Sequence, residues 1–267
     1  MLTDITLGQY FPGNSSIHRL DPRTKIVCVI SFITGVFLAE SYAADAALAL
    51  YVAIVASVAG IPLKFIFKSV KPLWIIIALT LGIHLFTTPG LILYTLGPLI
   101  VTQEGLRQGL LMSARLVLLI TMSSLLTFTT SPIALTDGLE RLLAPFRKLG
   151  LPAHELAMMM TIALRFIPTL LEETDRIMKA QMARGADFGS GNIARRAQSM
   201  IPLVVPLFIS AFRRADELAV AMEARCYRGG ENRTRMKELK LTAGDFVAYG
   251  LVAVLIGGLT VLKIKGI

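Results

Sequence analysis

Cysteine, histidine and charge are all scarce in this chain, and each scarcity removes a class of function. The two cysteines, Cys28 in an apolar run and Cys226 in a basic segment, offer neither a disulfide framework nor the paired spacing of a zinc site. Both read as inert thiols. His18, His84 and His154 stand far apart, with no second metal ligand at a useful spacing. The dipeptide Gly-Lys does not occur, so the Gly-x-x-x-x-Gly-Lys-Ser/Thr loop that cradles nucleotide phosphates is missing. No nucleophile and base can be paired, which leaves no case for an enzyme, a bound cofactor or a metal site. Six tyrosines and one tryptophan, without a basic-aromatic module, argue against nucleic acid as the partner of a net charge of +9.

What is abundant is apolar surface. With 54% hydrophobic residues, 17% charged residues and a mean hydropathy of +0.66, the chain reads as an all-α polytopic membrane protein whose first partner is the lipid bilayer. Uncharged runs at 26–39, 46–63, 72–88, 116–136 and 246–262 predict about five transmembrane helices. The first is short of the roughly 20 residues that cross a bilayer upright, so Thr24-Lys25 and Ser41-Tyr42 are expected at the interfaces. Pro89-Gly90 breaks the third uncharged stretch and leaves 89–103 as an external loop or re-entrant piece. The polar, turn-rich segment 1–25 lacks the order of a cleaved signal peptide.

Loop charge sets the expected orientation. Three basic residues precede the first run, three lie between the second and third, and 17 fall between Arg141 and Lys240. Cationic loops stay inside, so the N-terminus and residues 131–243 are expected on the cytoplasmic side of the cell membrane, against the two opposing charges Lys263 and Lys265. Three regions follow: a membrane domain at 1–131 with about four spans, a cytoplasmic helical region at 132–243, and a C-terminal transmembrane helix at 244–267. The uncharged stretch 197–212 is bracketed by Arg195-Arg196 and Arg213-Arg214 and contains Pro202 and Pro206, so it reads as a helix on or beneath the membrane rather than a sixth span. Arg115 is expected to snorkel to the outer interface.

In the cytoplasmic region a short amphipathic segment, 132–149, precedes a long helix. Leu156, Met160, Leu164, Ile167, Leu171, Thr174 and Ile177 recur every three or four residues as one apolar stripe, with a kink expected at Pro168. Two helical patterns then end alike, as Ala183-Arg184-Gly185 and Ala224-Arg225-Cys226. The arginines are 41 residues apart, and an aspartate stands nine positions before each, Asp175 and Asp216. Each apolar stripe, followed to its end, arrives at the arginine. A cation suits a helix C-terminus. Gly185 readily supplies the left-handed residue that ends a helix, whereas Cys226 does not. One such arginine reads as an ordinary cap; two at matched helix tips suit docking into carboxylate-lined grooves of a partner protein.

Several segments together carry a resemblance. Tyr10-Phe11-Pro12-Gly13-Asn14-Ser15, the run 18–25, Ala163-Leu164-Arg165-Phe166-Ile167-Pro168, 180–188 and 214–225 resemble the T component of energy-coupling factor transporters, the EcfT and CbiQ family, which includes membrane subunits of cobalt and nickel uptake systems. The resemblance implies a scaffold whose long cytoplasmic coupling helices link two ABC-type ATPase subunits to a separate substrate-binding membrane subunit for vitamin or transition-metal uptake. It implies that ATP is bound by the partner ATPases and that Ala-Arg-Gly tips seat in them. Ala183-Arg184-Gly185 matches that pattern; Ala224-Arg225-Cys226 departs from it at its last position. The competing reading is a self-contained secondary transporter or channel. That reading needs a charged path through the membrane, for which only Asp45, Arg107 and Arg115 are available. A membrane enzyme is a third possibility and lacks a catalytic set.

Overall fold

The computed structural model describes residues 10–39, 41–96, 99–186, 188, 192–229 and 239–265. Among them run nine α-helices: α1 (Pro22–Leu38), α2 (Tyr42–Ala59), α3 (Leu63–Val70), α4 (Trp74–Thr87), α5 (Gln103–Thr129), α6 (Pro132–Leu143), α7 (Ala153–Ala183), α8 (Ile193–Ala224) and α9 (Ala243–Lys265). The chain divides into two compact units. One comprises Gly8–Leu139 with Glu238–Ile267, and the other is built on Glu140–Lys237.

The first unit is a helical bundle whose starts are fixed by caps. The Asp21 carboxylate accepts the Arg23 N–H at 2.9 Å just before Pro22, Ser41 Oγ accepts from Ala44 at 3.2 Å, and Thr102 Oγ1 accepts from Gly105 at 3.0 Å. The core joins Phe32 and Val36 of α1, Leu48 of α2, Leu125 and Phe128 of α5 and Leu259 of α9. Helix α4 packs on α5 at glycine positions. A Cβ at Gly105 would lie 2.6 Å from the His84 carbonyl, so only glycine permits this approach. The rest of α4 is apolar and outward-facing, including Trp74, Ile76, Leu79 and Phe86. Such a helix suits a hydrocarbon solvent.

Among the described residues five helical segments are long and apolar enough to cross a membrane: Tyr42–Ala59, Leu63–Thr87, Gln103–Thr129, Ala153–Ala183 and Ala243–Lys265. The number agrees with the sequence expectation and the membership does not. Helix α1 has 17 residues, about 26 Å of rise against a hydrocarbon core of about 30 Å, and falls outside the set. Helix α7 enters it on its apolar first half. The expected fourth span also shifts: α5 begins at Gln103 and stops at Thr129, so both Arg107 and Arg115 lie on it. Arg115 has a partner that the sequence reading did not name. Its Nε and Nη2 donate to the two carboxylate oxygens of Asp45 at 2.8 and 3.1 Å, a bidentate pair that makes the charge tolerable among apolar helices. Arg107 stacks over the Tyr42 ring at 4.2 Å.

The segment expected as a loop contains an antiparallel hairpin, β1 (Ile92–Leu96) and β2 (Leu99–Thr102), with an irregularity between Ile92 and Tyr94. The strand sequences, Ile-Leu-Tyr-Thr-Leu and Leu-Ile-Val-Thr, run through consecutive apolar residues, so the alternation that announces a strand is missing.

In the second unit α7 and α8 lie antiparallel. Gln181 Nε2 donates to the Pro202 carbonyl at 3.4 Å, Arg214 Nη2 to Glu173 Oε2 at 2.8 Å, and Tyr227 lies against His154 at 3.3 Å. Helix α8 continues through Pro202 and Pro206, so the stretch 197–212 is the first half of one helix, and it is not among the five spanning candidates. The face that α7 turns to α8 differs from the expected stripe. Ile162, Phe166 and Leu170 line a cavity of about 250 Å³ with Ala215, Leu218 and Met222, whereas Leu156 is exposed. Apolar residues cover so much of α7 that period alone does not fix which side meets a neighbour.

Candidate functional site

The two arginine tips are built by the same backbone device. At the end of α7 the N–H of Gly185 donates to Met182 O at 3.0 Å and that of Ala186 to Gln181 O at 3.0 Å. At the end of α8 the N–H of Cys226 donates to Glu223 O at 2.9 Å and that of Tyr227 to Met222 O at 3.0 Å. Each is a complete Schellman motif, in which a left-handed residue folds the chain back onto the last helical carbonyls. Gly185 has φ +87° and Cys226 has φ +55°. The expectation that Cys226 would spoil the helix ending is therefore corrected. Cys226 takes the left-handed conformation despite its Cβ, the only non-glycine to do so among the described residues.

Ala183, Arg184, Gly185, Ala224, Arg225 and Cys226 are all exposed. Among the described residues neither guanidinium has a hydrogen bond or ion pair. The motif aspartates do not serve the arginines: Asp175 pairs with Lys179 at 2.6 Å. Nine residues at 100° each leave Asp175 half a turn round the helix from Arg184.

The antiparallel pairing sends the tips to opposite ends. Arg184 closes the end where α7 gives way to α8, whereas Tyr227, two residues past Arg225, touches His154 at the start of α7. A helix of 31 residues is about 46 Å long, which sets the scale of the separation. The second tip has a tether absent from the sequence reading. His154 Nδ1 lies 3.0 Å from Glu140 Oε1, and the Tyr227 hydroxyl 3.3 Å from His154 Nε2. Glu140 and Tyr227 are 87 positions apart, and no spacing rule links them. The Asp45–Arg115 pair was closer to legible, because two opposite charges in otherwise apolar stretches need partners. Among the described residues no three of His, Cys, Asp and Glu are placed to hold a metal ion.

Fold and site together define an all-α polytopic membrane protein that presents two arginine-bearing helix ends. Its sequence places it further: the chain belongs to the cobalt transport protein family, CbiQ, which it matches over residues 13–236. It is 60% identical over 256 residues to the energy-coupling factor transporter transmembrane protein EcfT of Thermosediminibacter oceani, covering 95% of this chain and 97% of that one. The protein of the same description in Acidaminococcus fermentans is 64% identical over 252 residues, 94% of each chain. That of Bacillus subtilis is 51% identical over 246 residues, 92% of this chain and 93% of the relative.

Proposed function

We propose that this chain is the transmembrane coupling subunit of an energy-coupling factor importer, with Arg184 and Arg225 each seated in one of two partner ATPases. ATP is bound and hydrolysed by those partners, and this chain contributes neither catalytic group nor cofactor. The observation that carries the reading is the pair of matching Schellman ends at opposite ends of one antiparallel helix pair. A single capping arginine serves its own helix. Two exposed guanidinium groups, neither paired among the described residues, on matched, widely separated supports suit two similar grooves, and arginine is the residue of choice for a desolvated carboxylate site.

In this mechanism residues 131–243 and the N-terminus face the cytoplasm, and the apolar first half of α7 is covered by a partner subunit instead of crossing the bilayer. The ATPases approach one another on binding ATP and displace the two tips. Because α7 and α8 are tied at Glu173, Ser210 and Arg214, that displacement turns the helices relative to each other rather than bending either one. Their apolar faces pass the motion to a substrate-binding membrane subunit, which selects the vitamin or transition-metal ion. A self-contained transporter gains no support, since Asp45 and Arg115 bond each other instead of lining a path.

The test is replacement of both arginines by alanine in the full complex. Truncation of an anchoring arginine costs about 2 kcal/mol or more, roughly thirty-fold in affinity. The ATPases should therefore fail to co-purify, and uptake should fall with them. Full uptake with both ATPases retained in the double variant would sink the proposal.

A further inference from the structure

The run 18–25 carries part of the resemblance, and the arginine tips leave it without a task. In the structure it sits where the chain passes between the two units. The chain leaves the first unit after Leu139 and re-enters it at Glu238. Both passages are fastened to the first turn of α1.

The outgoing passage is held at the end of α5 and again on α6. The buried Lys25 ammonium donates to the Thr129 carbonyl, on the last residue of α5, at 2.8 Å, to Thr130 Oγ1 at 3.2 Å and to the His18 carbonyl at 3.3 Å. Helix α6 meets α1 at Gly138, where a Cβ would lie 2.9 Å from Pro22 Cβ and 3.3 Å from the Arg23 nitrogen. The returning passage is held on the same turn. Arg23 Nη2 donates to the Leu239 carbonyl at 3.2 Å, and the Asp21 N–H donates to Asp245 Oδ1 at 2.9 Å. The other Asp245 oxygen accepts from the N–H and the hydroxyl of Thr242 at 2.7 and 2.8 Å, which fixes the entry to α9. Arg23 is locked in turn by Nε and Nη2 bonds to the Asp21 carboxylate at 3.1 and 2.8 Å. Asp21, Lys25 and Asp245 are all buried.

We infer that the first turn of α1 is a fixed clamp on both passages, and that Arg23, Lys25, Asp245 and Gly138 are positioning residues for energy coupling. The inference rests on the reading that ATPases displace the tips at Arg184 and Arg225. Turning α7 against α8 does work on a substrate subunit only if the second unit is held to the membrane helices at points that do not slip. Buried charge-assisted bonds resist slipping, because no water is at hand to replace a lost partner. The close approach at Gly138 resists it by shape. Helix capping accounts for the Arg23 N–H and for Thr242. It does not account for Arg23 reaching Leu239, 216 positions away, or for Lys25 reaching Thr129, 104 positions away.

The full complex in proteoliposomes is assayed for bound ATPases, ATP hydrolysis and accumulation of radiolabelled cobalt(II) or riboflavin, whichever the unaltered complex carries. Arg23→Gln releases Leu239 and Asp21, and Gly138→Ala pushes α6 from α1 without removing a charge. Each should keep both ATPases and their hydrolysis, while uptake per ATP falls about five-fold or more, the size of a coupling between sites. Asp45→Asn, which weakens the same unit away from the clamp, should lower Tm and leave that ratio unchanged. In the unaltered complex the backbone amides of 21–25 and 242–245 should exchange hydrogen equally slowly with and without ATP. An unchanged ratio in both clamp variants overturns the inference, as does an equal fall in Asp45→Asn or faster exchange of those amides with ATP. Loss of the ATPases from Arg23→Gln overturns it too, because the run 18–25 then belongs to docking. Docking by the tips is read separately, from the ATPases retained in the double arginine variant.

Discussion

Cys226 holds a backbone conformation that glycine holds at the equivalent position of α7, and the difference is measurable. A Cβ in the left-handed region costs about 1–2 kcal/mol, partly offset in a glycine variant by extra freedom of the unfolded chain, about 0.5–1 kcal/mol. Cys226→Gly should therefore stabilise the second tip by up to about 1 kcal/mol, seen as a rise in Tm of a few degrees in detergent. Gly185→Ala should act in the opposite sense by about 1 kcal/mol. An added Cβ at Gly185 meets nothing within 4 Å, so the change tests backbone strain alone. Equal effects of the two substitutions would mean that φ at these positions is not what ends the helices.

Between elements, the Asp45–Arg115 pair fastens the start of α2 to the middle of α5. The two side chains are 10% and 14% exposed, so removing one partner strands the other charge among apolar side chains. Asp45→Asn or Arg115→Gln alone should destabilise by about 3 kcal/mol, and the double variant by clearly less than the sum. Thermal unfolding of the four proteins in detergent checks this, and strict additivity would show the pair to be energetically idle. The tether at the second tip is weaker. Tyr227→Phe removes one hydroxyl contact with His154 and should cost about 1 kcal/mol, with the α8 terminus exchanging amide hydrogens faster while the α7 terminus is unchanged.

At the scale of the whole molecule, orientation can be read from two native thiols, one exposed and one buried. If residues 131–243 face the cytoplasm, a membrane-impermeant maleimide should label Cys226 in inside-out vesicles and not in right-side-out ones, whereas Cys28 should stay unlabelled in both. Labelling of Cys226 from the outer side would reverse the proposed topology. The sequence by itself determined the all-α membrane class, because apolar runs of span length have few other uses. It also placed the two arginines at helix ends, because a helix stop is written in the few residues that form it, but it did not show that Cys226 would form the second stop. Tertiary structure alone decided which faces and charges meet. Asp45 and Arg115 are 70 positions apart, and β1 and β2 pair through backbone groups that every residue carries. The face that α7 turns to α8 was invisible because apolar side chains cover more of it than any neighbour buries. The placement of Arg184 and Arg225 at opposite ends of one helix pair was decided last. It depends on the antiparallel packing of α7 and α8, a contact between distant residues that no local period encodes.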